Sequence, residues 1–370
     1  MRKFKIGMLI PYSGVFPNLR EDFMDGIELG MGECFYEVEW LQEFIHMGDV
    51  SKVQHAMQKL ALFDRVHAIT GILNNNVIKA CLPEIDKHKV PLIACNLGAR
   101  IPDEGFSHPN LFYNSMHLWK SQWVIGKWTQ TMFGGTPSLN LSVYEGGYDM
   151  HVSYKSGAAA AGADAVHLNI LQLQQQETDT SPLIDHLQAQ RPRHVHVLLT
   201  GREGAQFLRR FRQQGMHLEM DVSVNPYLNL QYDPYLTAGM YHATTWYPGL
   251  ETEENKDFVA TYKSRFEELP PPFAVLGYET GLALAEAINQ CGTVRQAARL
   301  SEQLSQVCVQ GPRGEVRLGT QPLQATSPVY VLRSANQLIG ADDGVCWTDA
   351  DLAAGAAQSL SGWQNPYLCV

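Results

Sequence analysis

Short aliphatic runs that alternate with amphipathic helical stretches constrain the fold of this chain more than any other feature. The first run covers Phe4 to Ile10, and the apolar residues Phe23, Ile27 and Met31 then recur at helical spacing. The order returns with a second aliphatic run, from Ala68 to Leu73. Strands and helices that alternate in this way are typical of a parallel sheet with helices on its faces.

A second series of the same kind begins near Trp119 and predicts a second sheet. The chain has 370 residues, against a norm of roughly 150 per domain, so its length suits two cores. We therefore predict an α/β fold with two Rossmann-like lobes. The predicted strands of the second series are Leu139 to Tyr144, Ala165 to Ile170, Val195 to Leu199, Asp221 to Val224 and Met240 to Thr245.

Helical periodicity returns after the second series. Phe258 and Phe266 share one predicted helix face, and Leu282 and Ile288 mark another before a β-like end that reaches Leu332. We predict that these helices cross back to complete the first lobe, which requires several crossovers and a hinge. The predicted lobes are discontinuous, with residues 1–118 and 248–325 in the first and residues 119–247 and 326–370 in the second.

Charge and hydropathy exclude several classes of function. A formal charge of −10 argues against nucleic-acid binding, which needs clustered Lys and Arg. No apolar run approaches the length of about 20 residues that a membrane-spanning helix needs. The segment Met1 to Ile10 lacks the apolar length of a signal peptide. Two alternatives stay open: an exported protein whose signal is absent from this sequence, and a cytoplasmic one.

Motifs for catalysis and for metal or cofactor binding are absent from the sequence. It contains no GxSxG, HExxH or P-loop motif, and Gly30 and Gly32 fall late in a predicted helix rather than at a nucleotide-binding turn. His194 and His196 share one face of a predicted strand, but no third ligand accompanies them, so we expect no metal and no cofactor. The seven cysteines show no CxxC pair and favour free buried thiols, with one or two disulfide bridges as the alternative.

Polar loops follow four of the predicted strands. In open α/β sheets the ligand binds at the carboxyl ends of the strands, where backbone N–H groups and short polar side chains converge. The pattern predicts a site for an anionic or strongly hydrogen-bonding ligand. The asparagines have helix capping as an alternative role, and Arg20 either holds a carboxylate or is solvated. The loops are Pro11 to Arg20, Asn74 to Asn76, Asn96 to Gly98 and Glu145 to Asp149.

Six segments in order give the chain a resemblance to a known family. They are KIGMLIPYSG, ITGILNNN, VPLIACN, LSVYEGGYD, AGMYHATTWY and FAVLGYETGLALAEAI. Together they resemble the type I periplasmic binding proteins of the branched-chain amino acid group. The resemblance implies two Rossmann-like lobes joined by three hinge strands, with a ligand trapped between them and delivered to an ABC transporter or read by a sensor.

The resemblance also implies a set of ligand-binding residues. Asn75 stands where the family has a carboxylate-binding Ser, and Gly98 where it has a Thr; Gly201 and Asn225 stand near its ammonium-binding Tyr and Glu. These departures remove much of an amino-acid clamp and favour a carboxylate, an amide or an aromatic acid, while an amino acid stays open. For Phe16 and Trp246 the alternative is packing within the lobes. The full predicted set is Ser13, Phe16, Leu19, Arg20, Asn74, Asn75, Asn96, Leu97, Gly98, Tyr148, Gly201, Arg202, Asn225 and Trp246.

The sequence thus predicts a solute-binding protein of an ABC importer, without enzymatic activity, that closes around a small polar ligand. Its expected partners are that ligand and, transiently, the membrane permease; we expect a monomer in the periplasm or outside the cell. The alternative is a cytoplasmic sensor of the same fold that regulates a protein partner, as amide-sensing regulators do. The stretch QGPRGEVRL, Gln310 to Leu318, is similar in both groups and does not discriminate.

Overall fold

A computed structural model describes residues 3–102, 107–172, 179–227, 234–319, 327–333 and 337–342. It contains a five-stranded sheet, a seven-stranded sheet and a small two-stranded sheet. The α/β fold with two lobes is confirmed, as one large sheet forms from each predicted series.

The first sheet is parallel throughout and has the strand order β2-β1-β3-β4-β5. The central strands are buried on both faces, which explains their continuous apolar sequences. The strands are β1 (Phe4–Ile10), β2 (Val38–Phe44), β3 (Ala68–Ile72), β4 (Leu92–Asn96) and β5 (Leu111–Ser115), and the helices between them are α1 (Leu19–Gly30), α2 (Val50–Lys59) and α3 (Asn75–His88).

The second sheet has five parallel strands and an antiparallel edge, in the order β14-β13-β10-β9-β8-β6-β7. Its parallel strands are β6 (Ser138–Ser142), β7 (His167–Leu171), β8 (His194–Leu198), β9 (Asp221–Val224) and β10 (Tyr241–Thr244). The edge strands are β13 (Val329–Arg333) and β14 (Gln337–Asp342). The helices are α4 (Leu118–Phe133), α5 (Val143–Gly146), α6 (Met150–Ala160), α7 (Ser181–Gln190) and α8 (Gly201–Gln213).

The helices between β10 and β13 and the hairpin after them pack beside the first sheet, whereas β13 and β14 join the second. These helices are α9 (Glu253–Phe266), α10 (Pro272–Cys291) and α11 (Leu300–Gln306), and the hairpin consists of β11 (Val309–Gly311) and β12 (Gly314–Val316). Helix α10 packs along α1, and the ring of Phe258 on α9 lies 4.6 Å from that of Tyr278 on α10. The predicted lobe boundaries at residues 118, 247 and 325 stay predictions, and residues 343–370 lie outside the described part of the chain.

Some local predictions were wrong. Strands β2 and β5 were not predicted; β2 is a half-exposed edge strand, and β5 carries the polar residues Asn114 and Ser115. Tyr144 lies in α5 rather than in a strand, because Ser142 and Glu145 form a capping box that starts a helix there.

None of the described helices is long and apolar enough to cross a membrane. The cysteines Cys34, Cys81, Cys95, Cys291 and Cys308 are free thiols, and Cys346 and Cys369 lie outside the described residues.

Candidate functional site

The carboxyl ends of the two parallel sheets face each other and meet through their loops. The backbone N–H of Asp149 donates to the carbonyl of Ala99 at 3.1 Å, and its carboxylate accepts from the N–H of Ile101 at 2.9 Å. The Arg100 guanidinium donates to the carbonyl of Gly147 and lies 3.9 Å from the Asp149 carboxylate. The loop after β4 and the loop before α6 therefore touch at the boundary between the lobes, and the polar strand ends around them form the candidate cleft.

The first-lobe amides are already hydrogen-bonded to protein. The Asn96 amide nitrogen lies 3.0 Å from the Leu73 carbonyl, 2.9 Å from the Asn75 side-chain oxygen and 2.7 Å from the Tyr113 hydroxyl. The Ser115 hydroxyl donates to the Asn96 oxygen at 2.9 Å. Asn96 is fully buried and Asn75 nearly so. This network ties the ends of three strands together, which leaves little hydrogen-bonding capacity at Asn96 for a ligand.

Two neighbouring predicted residues have local structural contacts. Asn74 caps α3, since its side-chain oxygen accepts from the N–H of Val77 at 3.0 Å. The carbonyl of Leu97 accepts from the N–H of Leu118 at 2.8 Å, at the point where the chain crosses from β5 to the second lobe.

The loop after β1 is folded onto the first lobe. The Ser13 hydroxyl accepts from the N–H of Phe16 at 3.1 Å, and the Phe16 ring packs edge-on against Phe273 at 5.2 Å. Leu19 is buried at the start of α1. The exposed Arg20 donates to a side-chain oxygen on β2 at 3.0 Å, so the structure does not aim it into the cleft.

A buried carboxylate connects two strand ends of the second lobe. One Glu145 oxygen accepts from the N–H and hydroxyl of Ser142 at the end of β6, and the other from the N–H and hydroxyl of Thr200 after β8. Burial raises the pKa of Glu145 to about 7. The sequence placed Glu145 in a candidate loop without predicting this role.

The start of α8 presents a second carboxyl group. Gly201 is buried with φ at +58°, and Arg202 is exposed. One oxygen of Glu203 is buried without a hydrogen-bond partner, and burial raises the pKa of this carboxyl. Tyr148, in the same lobe, is buried with its ring 5.9 Å from the guanidinium of Arg100, which belongs to the other lobe.

Asn225 and Trp246 differ in their remaining bonding capacity. The Asn225 oxygen accepts from the N–H of Tyr227 at 3.1 Å, but its amide nitrogen is buried without a hydrogen-bond partner. The Trp246 indole donates to Asn255 at 2.8 Å and lies edge-on to Phe258, in accord with a packing role. Asn225 thus keeps two N–H donors for a ligand. The single N–H of the Trp246 indole is already used in its bond to Asn255.

A buried arginine in the β11–β12 hairpin is a feature that sequence reasoning missed. Arg313 donates to Glu279 at 2.9 Å, to the Ser115 carbonyl at 2.6 Å and to the Asn114 side chain at 2.7 Å. It joins α10 to the end of β5, beside the crossover into the second lobe. The QGPRGEVRL stretch was the available signal, but it did not identify a partner for the arginine.

His117 and Lys120 lie at the same crossover. Gly98 has φ at +75°, and a Cβ atom there would lie 2.8 Å from the His117 backbone nitrogen, so close packing requires glycine. His117 Nδ1 is buried without a hydrogen-bond partner. Its pKa is held well below the usual range by burial and by the charges of Lys120 and Arg313. Burial also lowers the pKa of Lys120, to about 8.

His194 and His196 belong to a buried hydrogen-bonded network. Both imidazoles contact the Ser223 hydroxyl, at 2.9 and 2.7 Å, and His196 also bonds to Gln122 at 2.8 Å. The Tyr154 ring stacks on His196 at 4.2 Å. Burial lowers the pKa of His194 to about 3, which keeps it neutral. Among the described residues, no three His, Cys, Asp or Glu side chains come together as a metal-binding group.

Comparisons with known proteins agree with this architecture. The family model described as "Periplasmic binding protein" matches residues 3–338. An ABC transporter substrate-binding protein from Sphaerobacter thermophilus is 21% identical, with a TM-score of 0.77 over 92% of this chain and 98% of that one.

Two further solved structures are similar. A solute-binding protein from Rhodopseudomonas palustris, in complex with 3,4-dihydroxybenzoic acid, is 21% identical, with a TM-score of 0.74 over 93% and 98% of the two chains. A leucine-binding protein from Thermotoga maritima is 16% identical, with a TM-score of 0.72 over 92% and 99%. No curated protein matches the chain.

Proposed function

Because this chain belongs to the periplasmic binding protein family, we propose that it is the solute receptor of an ABC importer. It captures a small polar ligand between its lobes by hinge closure, carries out no chemistry on that ligand and transfers it to a membrane permease. It works as a monomer in the periplasm or outside the cell.

The observation that carries this proposal is the pair of facing strand ends with buried, unpartnered polar atoms. Asn225, directly after β9, offers buried N–H donors, and Glu203, in the first turn of α8, offers a buried acceptor oxygen. Unsatisfied polar groups are rare in folded proteins because they cost free energy, and a bound ligand would remove that cost.

The ligand class is a small acid, amide or amino acid, with an aromatic acid favoured. Solute-binding proteins from Rhodopseudomonas palustris with similar folds are in complex with 3,4-dihydroxybenzoic acid, benzoate and 4-hydroxybenzoate. Tyr148 lies at the lobe boundary next to Arg100, and an aromatic side chain in such a position favours a ligand that carries a ring. The 14 residues predicted from the sequence stay candidates, with Tyr148, Gly201 and Asn225 as the strongest.

A thermal-shift panel tests this function. We expect at least one compound among aromatic acids, small amides and amino acids to raise the unfolding temperature, since a ligand at 100 times its Kd adds about 2.7 kcal/mol. Tryptophan fluorescence should change with the same compound, and mass spectrometry should recover that compound unaltered. A broad panel without any stabilising compound contradicts the proposal, and turnover of a bound compound contradicts its non-enzymatic part.

A further inference from the structure

Two buried nitrogen atoms without hydrogen-bond partners belong to the crossover between β5 and α4 and to the second lobe. The Asn225 amide nitrogen belongs to the second lobe, and His117 Nδ1 to the crossover itself; both are buried and lack hydrogen-bond partners. The amide nitrogen can only donate, and a neutral imidazole can carry its proton on Nδ1. Two donors of this kind suit an oxygen acceptor.

Hydrogen bonds connect these groups into one cluster. The Arg313 guanidinium donates to the carbonyl of Ser115, two residues before His117, at 2.6 Å. The Tyr227 hydroxyl lies 3.4 Å from that of Thr244, and the next residue, Thr245, donates to the carbonyl of Met116 at 2.8 Å, directly before His117. The backbone N–H of Tyr227 bonds to the Asn225 oxygen, which ties Asn225 to the same end of the cleft. The group therefore spans both lobes at the hinge.

Lys120 supplies the positive charge of the cluster, because the charge of Arg313 is balanced by its ion pair with Glu279 at 2.5 Å. Lys120 lies in the first turn of α4 with its ammonium 5.8 Å from the centroid of the Trp119 ring, and the residue is only 6% exposed. Its pKa of about 8 keeps it mostly protonated at pH 7. The backbone N–H of Lys120 donates to the carbonyl of His117 at 2.9 Å, so the two residues are direct neighbours. A buried cation beside N–H donors favours a negatively charged oxygen over a neutral one.

The first lobe offers less to an anion. The Asn96 side chain is bonded to Leu73, Asn75 and Ser115, and the Asn75 oxygen accepts from Tyr113. Gly98 has no hydroxyl to contribute.

Resting on the solute-binding function proposed above, we propose that the ligand is a carboxylate whose acid group lies at the hinge, held by the Asn225 amide, the His117 imidazole and the Lys120 ammonium. In this arrangement the first-lobe amides form part of the cleft wall, and the acid group is bound at the hinge instead.

Matched acids and amides test the charge requirement by isothermal titration calorimetry. The pairs are benzoate with benzamide, 4-hydroxybenzoate with 4-hydroxybenzamide, phenylacetate with phenylacetamide, and L-leucine with L-leucinamide. For every pair with at least one member that binds, we expect the affinity for the acid to exceed that for the amide by at least about tenfold. This is the effect of one charge-assisted hydrogen bond. Amides that bind as tightly as their acids overturn the inference and leave the solute-binding function standing.

Two variants locate the acid group, and a third serves as the control. Asn225→Asp keeps the oxygen that accepts from Tyr227, so the turn is preserved, but it places a negative charge against the ligand. We expect this variant to bind the acid about a hundredfold more weakly and to lose far less affinity for the amide. Lys120→Met should weaken the acid about tenfold.

Lys127→Met removes a cation from the same helix that lies 5.1 Å from the Trp123 ring, and it should leave affinity unchanged. The unfolding temperature of each ligand-free variant shows that it folds. If Asn225→Asp and Lys120→Met leave the ratio of acid to amide affinity unchanged, the hinge assignment is wrong. If no compound binds the unmodified protein, the solute-binding function itself fails and the inference fails with it.

Discussion

At the scale of single residues, Glu145 shows how one buried side chain organises a site. Each of its carboxylate oxygens faces one backbone N–H, that of Ser142 at 3.3 Å and that of Thr200 at 3.1 Å, together with the hydroxyl of the same residue. Hydroxyl groups can rotate to donate or accept, but a backbone N–H in a fixed turn can only donate. The position therefore requires two acceptor oxygens.

We expect Glu145→Gln to destabilise the protein by about 1–3 kcal/mol, because the amide NH₂ would face a backbone donor wherever it points. Urea unfolding at pH 7 measures this loss. Glu219→Gln, which changes an exposed carboxylate in the same way, should change the free energy of unfolding by less than about 0.5 kcal/mol. Equal effects of the two variants would contradict the role assigned to Glu145.

At the scale of elements, the pairing of α1 with α10 depends on glycines that bring the helix backbones together. A Cβ atom on Gly277 would lie 2.2 Å from the Phe23 carbonyl oxygen, and one on Gly26 would lie 2.1 Å from the Ala274 carbonyl oxygen. Helices α4 and α6 of the second lobe approach in the same way through Gly126 and Gly157. Each lobe thus has one helix pair in which a methyl group has no room.

Gly277→Ala should destabilise the protein by about 1–3 kcal/mol, since the backbones must separate and this loss exceeds the gain in helix propensity. Denaturant unfolding followed by circular dichroism measures it. Gly32→Ala, just beyond α1, is the matched control, because a Cβ there meets nothing within 4 Å. A stabilised Gly277→Ala variant would show that the helix spacing is adjustable.

The sequence predicted the bounds of a strand correctly where apolar residues cover the whole length of that strand. Strand β1 was placed at its observed bounds and β9 likewise, because their apolar residues fill the strand and turn residues flank them. Strand β2 was missed because, as an edge strand, it has no continuous apolar face.

The candidate site was predictable to the level of loops but not of contacts. Asn75 and Tyr148 were predicted in loops after strands; the structure places Asn75 at the first residue of α3, shortly after β3, and Tyr148 between α5 and α6. The bond of Arg313 to the Ser115 carbonyl joins residues 198 apart in the chain, and no local pattern encodes that pairing. Spacing therefore predicts at which edge of the sheet the candidate site lies, while packing between distant segments decides which side chains keep hydrogen-bonding capacity for a ligand.

At the scale of the whole molecule, closure depends on what the lobes gain when their loops meet. In this structure the loop around Arg100 contacts the loop around Asp149 through three hydrogen bonds and a 3.9 Å ion pair, all of them between protein groups. These contacts favour the closed arrangement of the lobes. They therefore reduce the part of the ligand's binding free energy that is needed to close the lobes. A ligand's apparent affinity is reduced by the fraction of molecules that are not competent to bind it, so interlobe contacts set affinity without touching the ligand.

Removing the Arg100 side chain should therefore open the molecule and weaken every ligand alike. We expect Arg100→Ala to increase the radius of gyration of the ligand-free protein in small-angle X-ray scattering, to restore the compact value at saturating ligand, and to weaken affinity by about tenfold, the equivalent of one charge-assisted hydrogen bond. Arg209→Ala, which removes an exposed guanidinium from α8, should leave both quantities unchanged. Because Arg100 acts on the lobes and not on the ligand, acids and amides should lose affinity by the same factor, whereas Asn225→Asp affects acids selectively. Unchanged scattering together with unchanged affinity would show that hinge strain, and not the contact between Arg100 and Gly147, sets the balance between open and closed forms.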